Sequence, residues 1–308
     1  MAESYGDILR DTKRAQWDLD RAFQPPELDF ERPFLPEAMV HVSKLDFLTP
    51  RERVVVSQIR AQTYLETMMF AEKVIVPFIM SRAAQALHVD HEQFLALMAF
   101  GHDEAKHILL FERFARHIDG VVGASLRHPA QEISSRVLTH HSLAIALVVL
   151  HIDALADAHA RLAEESSEPL EPQMVELLRI HALDEARHLR LDRLILQDLL
   201  ERSTPYERNR AVQQYVSVMD DMSASFGPRA GYDVCAFESH VRALDEREAE
   251  TLQREQARSY DAMMLHAGLT HPLVQETLDA LGGPFPEIDA ARARYTLAGG
   301  DSASRACA

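Results

Sequence analysis

Apolar residues recur every three to four positions along most of the chain, and this spacing predicts amphipathic α-helices. A first long helix is predicted to start at residues 49–52 (TPRE), because a threonine can cap it, a proline fits its first turn and a glutamate can close a capping box. We expect this helix to run to about residue 87, with a kink at Pro77. Asp90 is expected to cap a second helix that extends through His117.

A third helix is predicted over residues 137–164, and its nearly continuous apolar run at 143–152 is typical of a helix that is buried on all sides. Glu171 and the proline that follows it should open a fourth helix, which ends near Arg202. Shorter periodic stretches follow and predict helices at about 205–225, 235–266 and 272–281. The chain is therefore predicted to be all-α.

The same patterns divide the chain into parts of one globular domain. Residues 49–202 hold the four long helices and are predicted to form a four-helix bundle, with a connection at about 119–135 that contains glycines and a proline. The remaining parts are an N-terminal arm, additional helices packed on the bundle and a disordered tail, predicted at residues 1–48, 203–296 and 297–308.

One pentapeptide motif occurs twice in the chain, as DEAKH at Asp103–His107 and as DEARH at Asp184–His188. Each copy contains Glu-x-x-His, and residues three apart on a helix share a face, so one carboxylate and one imidazole project together. A further acid precedes each copy at the same distance, since Glu72 lies 32 residues before Glu104 and Asp153 lies 32 residues before Glu185. A duplicated motif with a duplicated upstream acid is a strong signal for a di-metal site between helices.

Carboxylates and imidazoles that leave open positions suit iron or manganese better than a closed structural zinc site. His181 precedes Glu185 by one turn and faces the same way; direct ligation is favoured over a core histidine beside the site. Asp157, one turn from Asp153, is its rival for the fourth carboxylate, whereas Glu66 points to another face than Glu72. The predicted metal ligands are Glu72, Glu104, His107, Asp153, His181, Glu185 and His188.

Composition narrows the classes of partner and compartment. The 308 residues carry a formal net charge of −16, which argues against a nucleic-acid partner because nucleic acids need a basic surface. Only Cys235 and Cys307 are present, far apart, so neither a disulfide framework nor a thiolate metal site is predicted. The first residues are too charged for a secretory signal and no apolar run is long enough for a membrane span, so we expect a cytoplasmic protein without membrane contact.

In these motifs the chain resembles the ferritin-like di-iron oxygenases, and specifically the p-aminobenzoate N-oxygenase family. That family resembles this chain in having a lone Glu, then Asp-Glu-x-x-His, another lone Glu, and finally His-x-x-Asp-Glu-x-x-His. The match covers about residues 50–200 and departs from the pattern at Asp153, where Glu is usual. The resemblance implies a ferritin-like four-helix bundle with additional C-terminal helices, a cofactor of two iron ions, and dioxygen-dependent oxidation, typically of an amine to a hydroxylamine or further.

The favoured function is thus a di-iron oxygenase that N-oxygenates an amine on a small molecule or biosynthetic intermediate, with no catalytic residues beyond the metal ligands. It would need dioxygen, a small-molecule substrate and an external electron donor, and a homodimer is the default assembly. Manganese or a mixed manganese–iron pair would fit the same ligands. The alternatives are a carbon hydroxylase or desaturase, a radical-generating subunit of the ribonucleotide reductase type, and an iron-storage protein. A radical generator needs a redox tyrosine near the metals; for Tyr64, two turns before Glu72, we favour an ordinary packed tyrosine.

Overall fold

The computed structural model describes residues 3–22, 28–122 and 136–296, and the regular elements in these ranges are helices. In chain order they are α1 (Tyr5–Arg14), α2 (Leu19–Ala22), α3 (Glu37–Val40), α4 (Pro50–Ala86), α5 (His91–Val122), α6 (Ser142–Glu164), α7 (Pro172–Glu201), α8 (Pro205–His240), α9 (Glu246–Tyr260), a π-helix (Asp261–His266), α10 (Ala267–Thr270), α11 (Pro272–Ala280) and α12 (Pro286–Tyr295). The predicted all-α fold is confirmed.

The long helices begin where the sequence places their start signals. At α4, the Thr49 hydroxyl accepts a hydrogen bond from the Glu52 backbone N–H, and the Glu52 carboxylate accepts one from the Thr49 N–H at 2.7 Å. At α5, the Asp90 carboxylate accepts a hydrogen bond from the Gln93 N–H at 3.0 Å. Such caps satisfy donors that have no partner within the helix, so short polar motifs define these boundaries.

The four long helices pack as two pairs, and this arrangement brings the two pentapeptides together. Helix α4 packs mainly on α5, α6 packs mainly on α7, and α5 also contacts α7. The two Glu-x-x-His motifs lie on α5 and α7, while the upstream acids Glu72 and Asp153 lie on α4 and α6. Each pair therefore contributes one acid and one motif to the interior of a four-helix bundle, as the sequence predicts.

Helix α6 is the innermost of the four. Within the described residues it alone is long and apolar enough to cross a membrane, but 89% of its most apolar stretch is buried inside the protein. Residues Leu143 to Leu150 all lie in the core. A helix buried by its own neighbours needs no lipid to cover it, which explains the apolar run from packing alone.

The described part of the predicted N-terminal arm lies against the bundle. Helix α1 packs on α5 and α7, and the Tyr5 hydroxyl donates to the Asp198 carboxylate at 3.1 Å. Further along, the backbone N–H groups of Phe34 and Leu35 donate to the Ser57 hydroxyl at 3.0 and 2.9 Å. These contacts hold the N-terminal residues on the surface of the bundle.

The C-terminal helices differ from the prediction. We predict helices at 205–225 and 235–266 with a break between them, whereas α8 runs without interruption across Gly227 and Pro228 to His240. A proline removes one N–H from a helix, and packing of α8 on α4, α6 and α9 maintains the helix despite that loss. The actual break follows at residues 241–245, and α12 has no counterpart in the prediction. The predicted tail (297–308) and most of the predicted connection (123–135) lie outside the described residues.

Candidate metal centre

The predicted ligands come from all four helices of the bundle and point into its interior. Glu72 is on α4, Glu104 and His107 are on α5, Asp153 is on α6, and the remaining three are on α7. Each of the seven residues is at most 2% exposed. Carboxylates and histidines are rarely buried to this degree unless they are paired with each other or bind a cation.

Six of the seven residues form two overlapping groups in which one ligand atom per residue lies within 4.8 Å of all the others. The groups are Glu72, His107, His181 and Glu185, and Glu104, His107, Glu185 and His188. His107 and Glu185 belong to both. Two adjacent groups with a shared carboxylate are the arrangement expected where one carboxylate bridges two cations.

Distances in the first group show how close His181 lies to the carboxylates. Its Nε2 atom is 3.3 Å from an oxygen of Glu72 and 2.9 Å from Oε1 of Glu185. Neither His181 Nε2 nor Glu185 Oε1 makes a hydrogen bond, and Glu72 Oε2 also lacks a partner. Buried polar atoms without hydrogen-bond partners are costly, and a cation bound by these three side chains would compensate for that cost.

The second group is built around the two motif histidines. His188 Nδ1 lies 3.1 Å from Glu104 Oε1 and 2.7 Å from Glu185 Oε2. His107 Nδ1 lies 3.3 Å from Glu104 Oε2 and 3.1 Å from Glu185 Oε1. Both histidines thus direct Nδ1 at the carboxylates, so this nitrogen is the one available to a metal.

The electrostatics also fit a pair of divalent cations. Burial, with the charges of neighbouring carboxylates, raises the pKa of Glu72 and of Asp153 well above the usual range. Burial opposes protonation of His107 and His188, but the surrounding carboxylates raise the pKa of both well above the ordinary value. Four carboxylates and three neutral imidazoles carry a formal charge of −4, which two divalent cations would balance while displacing protons from the histidines.

The aspartates of the two pentapeptides have a role that the sequence reasoning missed. His107 Nε2 lies 3.1 Å from Asp184, and His188 Nε2 lies 3.7 Å from Asp103, so each aspartate faces the histidine of the other motif. At His107, the hydrogen bond to the Asp184 carboxylate fixes the ring with Nδ1 free for a metal and raises its basicity, whereas Asp103 faces His188 Nε2 at a distance too long for a direct hydrogen bond. The repeated aspartate was visible in the sequence, but the crossed pairing depends on how α5 meets α7.

The basic residue of each pentapeptide is explained by the same contacts. Lys106 Nζ lies 2.8 Å from Asp103, and the Arg187 guanidinium contacts both Asp184 and Asp103. Trp17, in the N-terminal region, donates a hydrogen bond from its indole N–H to Asp184 at 2.7 Å. The charges of Asp103 and Asp184 are balanced by those of Lys106 and Arg187. These four side chains therefore surround the ligands without adding net charge to the metal centre.

The two rivals for the fourth carboxylate, Asp153 and Asp157, lie in different surroundings. Asp157 is partly exposed, and its carboxylate pairs with Arg161 at 2.9 Å and with His271 at 3.4 Å. Asp153 is buried beside the centre, outside both groups of ligand atoms, with Oδ2 unpartnered. Its neighbour is Asp192, a buried carboxyl that the sequence reasoning did not single out and that shares a hydrogen bond with Asp153. Burial raises the pKa of Asp192 to about 8, which favours its neutral form.

Aromatic rings form an apolar wall at the two histidines of α7. The Phe100 ring stacks on His188 with centroids 3.9 Å apart, and the Phe111 ring meets His181 edge-on at 4.9 Å. Both phenylalanines are fully buried. These rings exclude water from this side of the centre, which strengthens the electrostatic interactions inside it.

Among known proteins, the family model of the p-aminobenzoate N-oxygenase AurF matches residues 14–268. A search of curated proteins gave no match. Similar solved structures include an R2-like ligand-binding oxidase with an aerobically reconstituted Mn/Fe cofactor, at 17% identity and TM-score 0.44, with 91% of each chain covered. A mutant of such an oxidase with an anaerobically reconstituted Mn/Fe cofactor has 15% identity and TM-score 0.45, with 85% of this chain and 92% of that chain covered.

The family match spans the whole bundle and continues into the C-terminal helices, and the buried carboxylate and histidine groups suit a di-metal cofactor. The family and the enzyme class predicted from the sequence are both confirmed. The chain belongs to the p-aminobenzoate N-oxygenase family and is a di-metal oxidoreductase that uses dioxygen.

Proposed function

We propose that this enzyme N-oxygenates the amine group of a small molecule at a di-iron centre. The proposed ligands are Glu72, Glu104, His107, Asp153, His181, Glu185 and His188. The observation that carries the proposal is the position of His181, a third histidine whose Nε2 lies within 3.3 Å of both Glu72 and Glu185. Its place in a group of buried ligand atoms supports a role as a ligand in addition to the two motif histidines.

The metal pair, when bound, supplies the activation of dioxygen. The protein holds the ligands from four helices, so the donor atoms are fixed before substrate arrives. Asp184 holds His107 with Nδ1 toward the centre, and Asp103 faces His188 Nε2 at 3.7 Å. The rings of Phe100 and Phe111 keep water away, which protects a reactive centre from side reactions.

We infer that the substrate is an amine that is neutral at physiological pH. Oxygen transfer to nitrogen uses the nitrogen lone pair, which an alkylammonium ion lacks and an aromatic amine retains. The reaction takes one oxygen atom from dioxygen into the hydroxylamine, and the other leaves as water with two electrons and two protons from an external donor. The family name makes p-aminobenzoate the first compound to test.

The test is to supply purified, iron-loaded enzyme with a reductant, p-aminobenzoate or related arylamines, and ¹⁸O₂, and to analyse products by mass spectrometry. We expect ¹⁸O bound to nitrogen, and we expect His181→Ala to lose both iron and product. The matched control is His102→Ala, at an exposed position on α5. A product with ¹⁸O on carbon would replace N-oxygenation by hydroxylation, and accumulation of many irons per chain would favour iron storage.

Several expectations from the sequence accompany this proposal. We propose a homodimer that works in the cytoplasm without nucleic acid or membrane partners. The division of the chain into an arm, a bundle, additional helices and a tail, with boundaries at residues 49, 203 and 297, stays a prediction. Sedimentation of the iron-loaded enzyme tests the dimer directly, and a monomer would contradict it. Iron is the proposed metal, and metal analysis after growth with iron and manganese together tests whether a mixed pair forms instead.

A further inference from the structure

Two hydrogen-bonded chains of side chains, each a tyrosine, a histidine and a backbone carbonyl, connect α6 to the π-helix. In the first, His159 Nε2 lies 3.1 Å from the Met263 carbonyl oxygen, and His159 Nδ1 lies 3.1 Å from the Tyr64 hydroxyl. In the second, His151 Nε2 lies 2.8 Å from the Met264 carbonyl oxygen, and His151 Nδ1 lies 2.7 Å from the Tyr215 hydroxyl. Both histidines and both tyrosines are fully buried.

The π-helix fixes the proton positions in both chains. A carbonyl oxygen only accepts hydrogen bonds, so the Nε2 atom of each histidine must carry a proton and donate it. Burial lowers the pKa of His159 to about 4, and that of His151 to about 4, so both rings are neutral at pH 7. In each neutral ring Nδ1 is therefore an unprotonated acceptor, and the tyrosine hydroxyl is the donor.

The two tyrosines differ in their position relative to the metal centre. Tyr64 is on α4, eight residues before Glu72, and the charges of Glu72 and Glu185 add to burial in raising its pKa. For Tyr215, on α8, the charges that act on its pKa in addition to burial come from Arg292 and Tyr295 of the C-terminal region. The same arrangement thus occurs twice, once near the metal ligands and once near the C-terminal helices.

We propose that Tyr64 and His159 form a redox pair that supplies one electron to the metal centre after dioxygen has oxidised it. The electron leaves the Tyr64 ring for the centre, which is reduced by one electron. The Tyr64 O–H bond breaks, and its proton moves to His159 Nδ1. The products are a neutral tyrosyl radical and an imidazolium that still donates to the Met263 carbonyl.

The geometry meets the two requirements of such a step. A tyrosine that loses an electron must lose its proton at once, and the unshared lone pair of His159 Nδ1 lies 3.1 Å from the hydroxyl oxygen. The radical that forms is enclosed on all sides, which limits its reaction with water and solutes. The hydroxyl of a tyrosine that serves only in packing can donate to any hydrogen-bond acceptor. Here the acceptor is a base, His159 Nδ1, and the other ring nitrogen already donates to the Met263 carbonyl.

This inference rests on the metal centre proposed above, and its test separates the two. Enzyme loaded with Fe(II) is mixed with dioxygen in the absence of substrate, frozen at intervals and examined by electron paramagnetic resonance. Iron content and dioxygen uptake are measured on the same samples. We expect a protein radical whose signal narrows when the tyrosine rings are deuterated, with iron content and dioxygen uptake as in a working centre.

The matched variants are Tyr64→Phe and Tyr215→Phe, which remove the same hydroxyl from the two chains. The radical should be lost in the Tyr64 variant and retained in the Tyr215 variant, with both variants binding iron as the wild type does. His159→Gln should bind iron and lose the radical, because an amide oxygen can accept a hydrogen bond but does not take the proton. A radical that persists in Tyr64→Phe, or none in a wild type that binds iron and consumes dioxygen, overturns the inference and leaves the centre standing. A chain that binds no iron overturns both.

A measurement on the metal-free chain provides a readout that does not depend on the reaction. In ¹⁵N-histidine-labelled protein at neutral pH, His159 should give the signals of a neutral ring protonated at Nε2. Tyr64→Phe should shift its Nδ1 resonance and leave that of His151 in place. A His159 ring that is protonated at Nδ1 would overturn the inference, because it could not accept the tyrosine proton.

Discussion

At the scale of single residues, the aspartate of the second pentapeptide, Asp184, determines how His107 faces the metal. Asp184 contacts His107 Nε2 at 3.1 Å and is itself held by Trp17 and Arg187. We predict that Asp184→Asn weakens metal binding about 10- to 100-fold, the usual effect of losing a carboxylate behind a metal-bound histidine. Competition with a chelating dye measures this affinity. Glu112→Gln, on the exposed face of α5 beside Arg116, is the control, and equal affinities for all three proteins would contradict the role of Asp184.

A second residue-scale prediction concerns the fourth carboxylate. Asp153 is buried with an unpartnered oxygen, whereas Asp157 is partly exposed and paired with Arg161. We predict that Asp153→Asn reduces the iron content below two per chain, because it removes a carboxylate at the centre, and that Asp157→Asn leaves it unchanged. Metal analysis of the purified variants distinguishes them. The opposite pattern would assign the ligand to Asp157.

The sequence predicts some of these residues and not others, for a physical reason. Glu104 and His107 share a helix face because of the helix period, so a local pattern is enough to find them. The duplicated spacing gives Asp153 precedence over Asp157, and the placement of both favours the same choice. Asp192 and the crossed pairing of Asp103 with His188 depend on the packing of α5, α6 and α7, which no local pattern contains.

At the scale of elements, the histidines of α6 hold the π-helix, and this makes a stability prediction. His151 is neutral in the fold with a pKa of about 4, below the ordinary value of 6.5. The unfolded chain takes up the proton first, so the stabilisation is present above pH 6.5 and is lost as the pH falls from 6.5 toward 4. We predict that the free energy of unfolding falls between pH 7 and pH 5 in the wild type, and that this fall is about 2 kcal/mol smaller in His151→Gln.

Urea unfolding of the metal-free chain at the two pH values measures this difference. Glutamine is a suitable replacement because its amide can donate to the Met264 carbonyl and accept from the Tyr215 hydroxyl. His102→Gln, at an exposed position on α5, is the control and should follow the wild type. Parallel losses of stability in all three proteins would show that His151 is not held neutral by the fold. The packing there is tight, since a Cβ added at Gly268 would lie 2.3 Å from His151 Nε2.

Helix boundaries show where local signals succeed and where packing overrides them. The capping box at Thr49 marks the start of α4 as the sequence predicts, and a second capping box at Thr204 marks the start of α8. The break predicted between residues 225 and 235 is absent, because α8 packs on α4, α6 and α9. Intrinsic propensity is a weak preference of about 1 kcal/mol for glycine and 3 kcal/mol for proline, and tertiary packing exceeds it here.

At the scale of the whole molecule, metal binding should contribute to the stability of the fold. The four helices of the bundle surround several carboxylates at one place, and without a cation their mutual repulsion is offset by protons on the histidines and on carboxyls such as Glu72. We predict that chelation lowers the melting temperature and that Fe(II) or Mn(II) restores it, with about 2.7 kcal/mol of stabilisation at a hundredfold excess over Kd. Mg²⁺, which prefers all-oxygen octahedral sites, should give a smaller shift. Identical melting curves with and without Fe(II) would contradict the prediction.

The C-terminal helices are joined to the bundle by a buried polar cluster that composition and periodicity do not reveal. The Arg60 guanidinium of α4 lies 3.0 Å from the centroid of the Tyr260 ring and 4.0 Å from Asp233, which accepts hydrogen bonds from Tyr260 and Thr63. These contacts attach α8 and α9 to α4. The sequence indicates that further helices follow the bundle, but their attachment depends on pairs of residues about 170 to 200 positions apart.

We propose that two cations are held between Glu72, Glu104 and Glu185, and that each cation is also bound by histidine. The most direct measurement is an anomalous difference map at the iron edge from crystals of the Fe(II)-loaded protein. We predict two peaks about 3.5–4 Å apart, one in each group of ligand atoms, with Glu185 between them. A single peak, or none within the four-helix bundle of a protein that has taken up iron, would contradict the account.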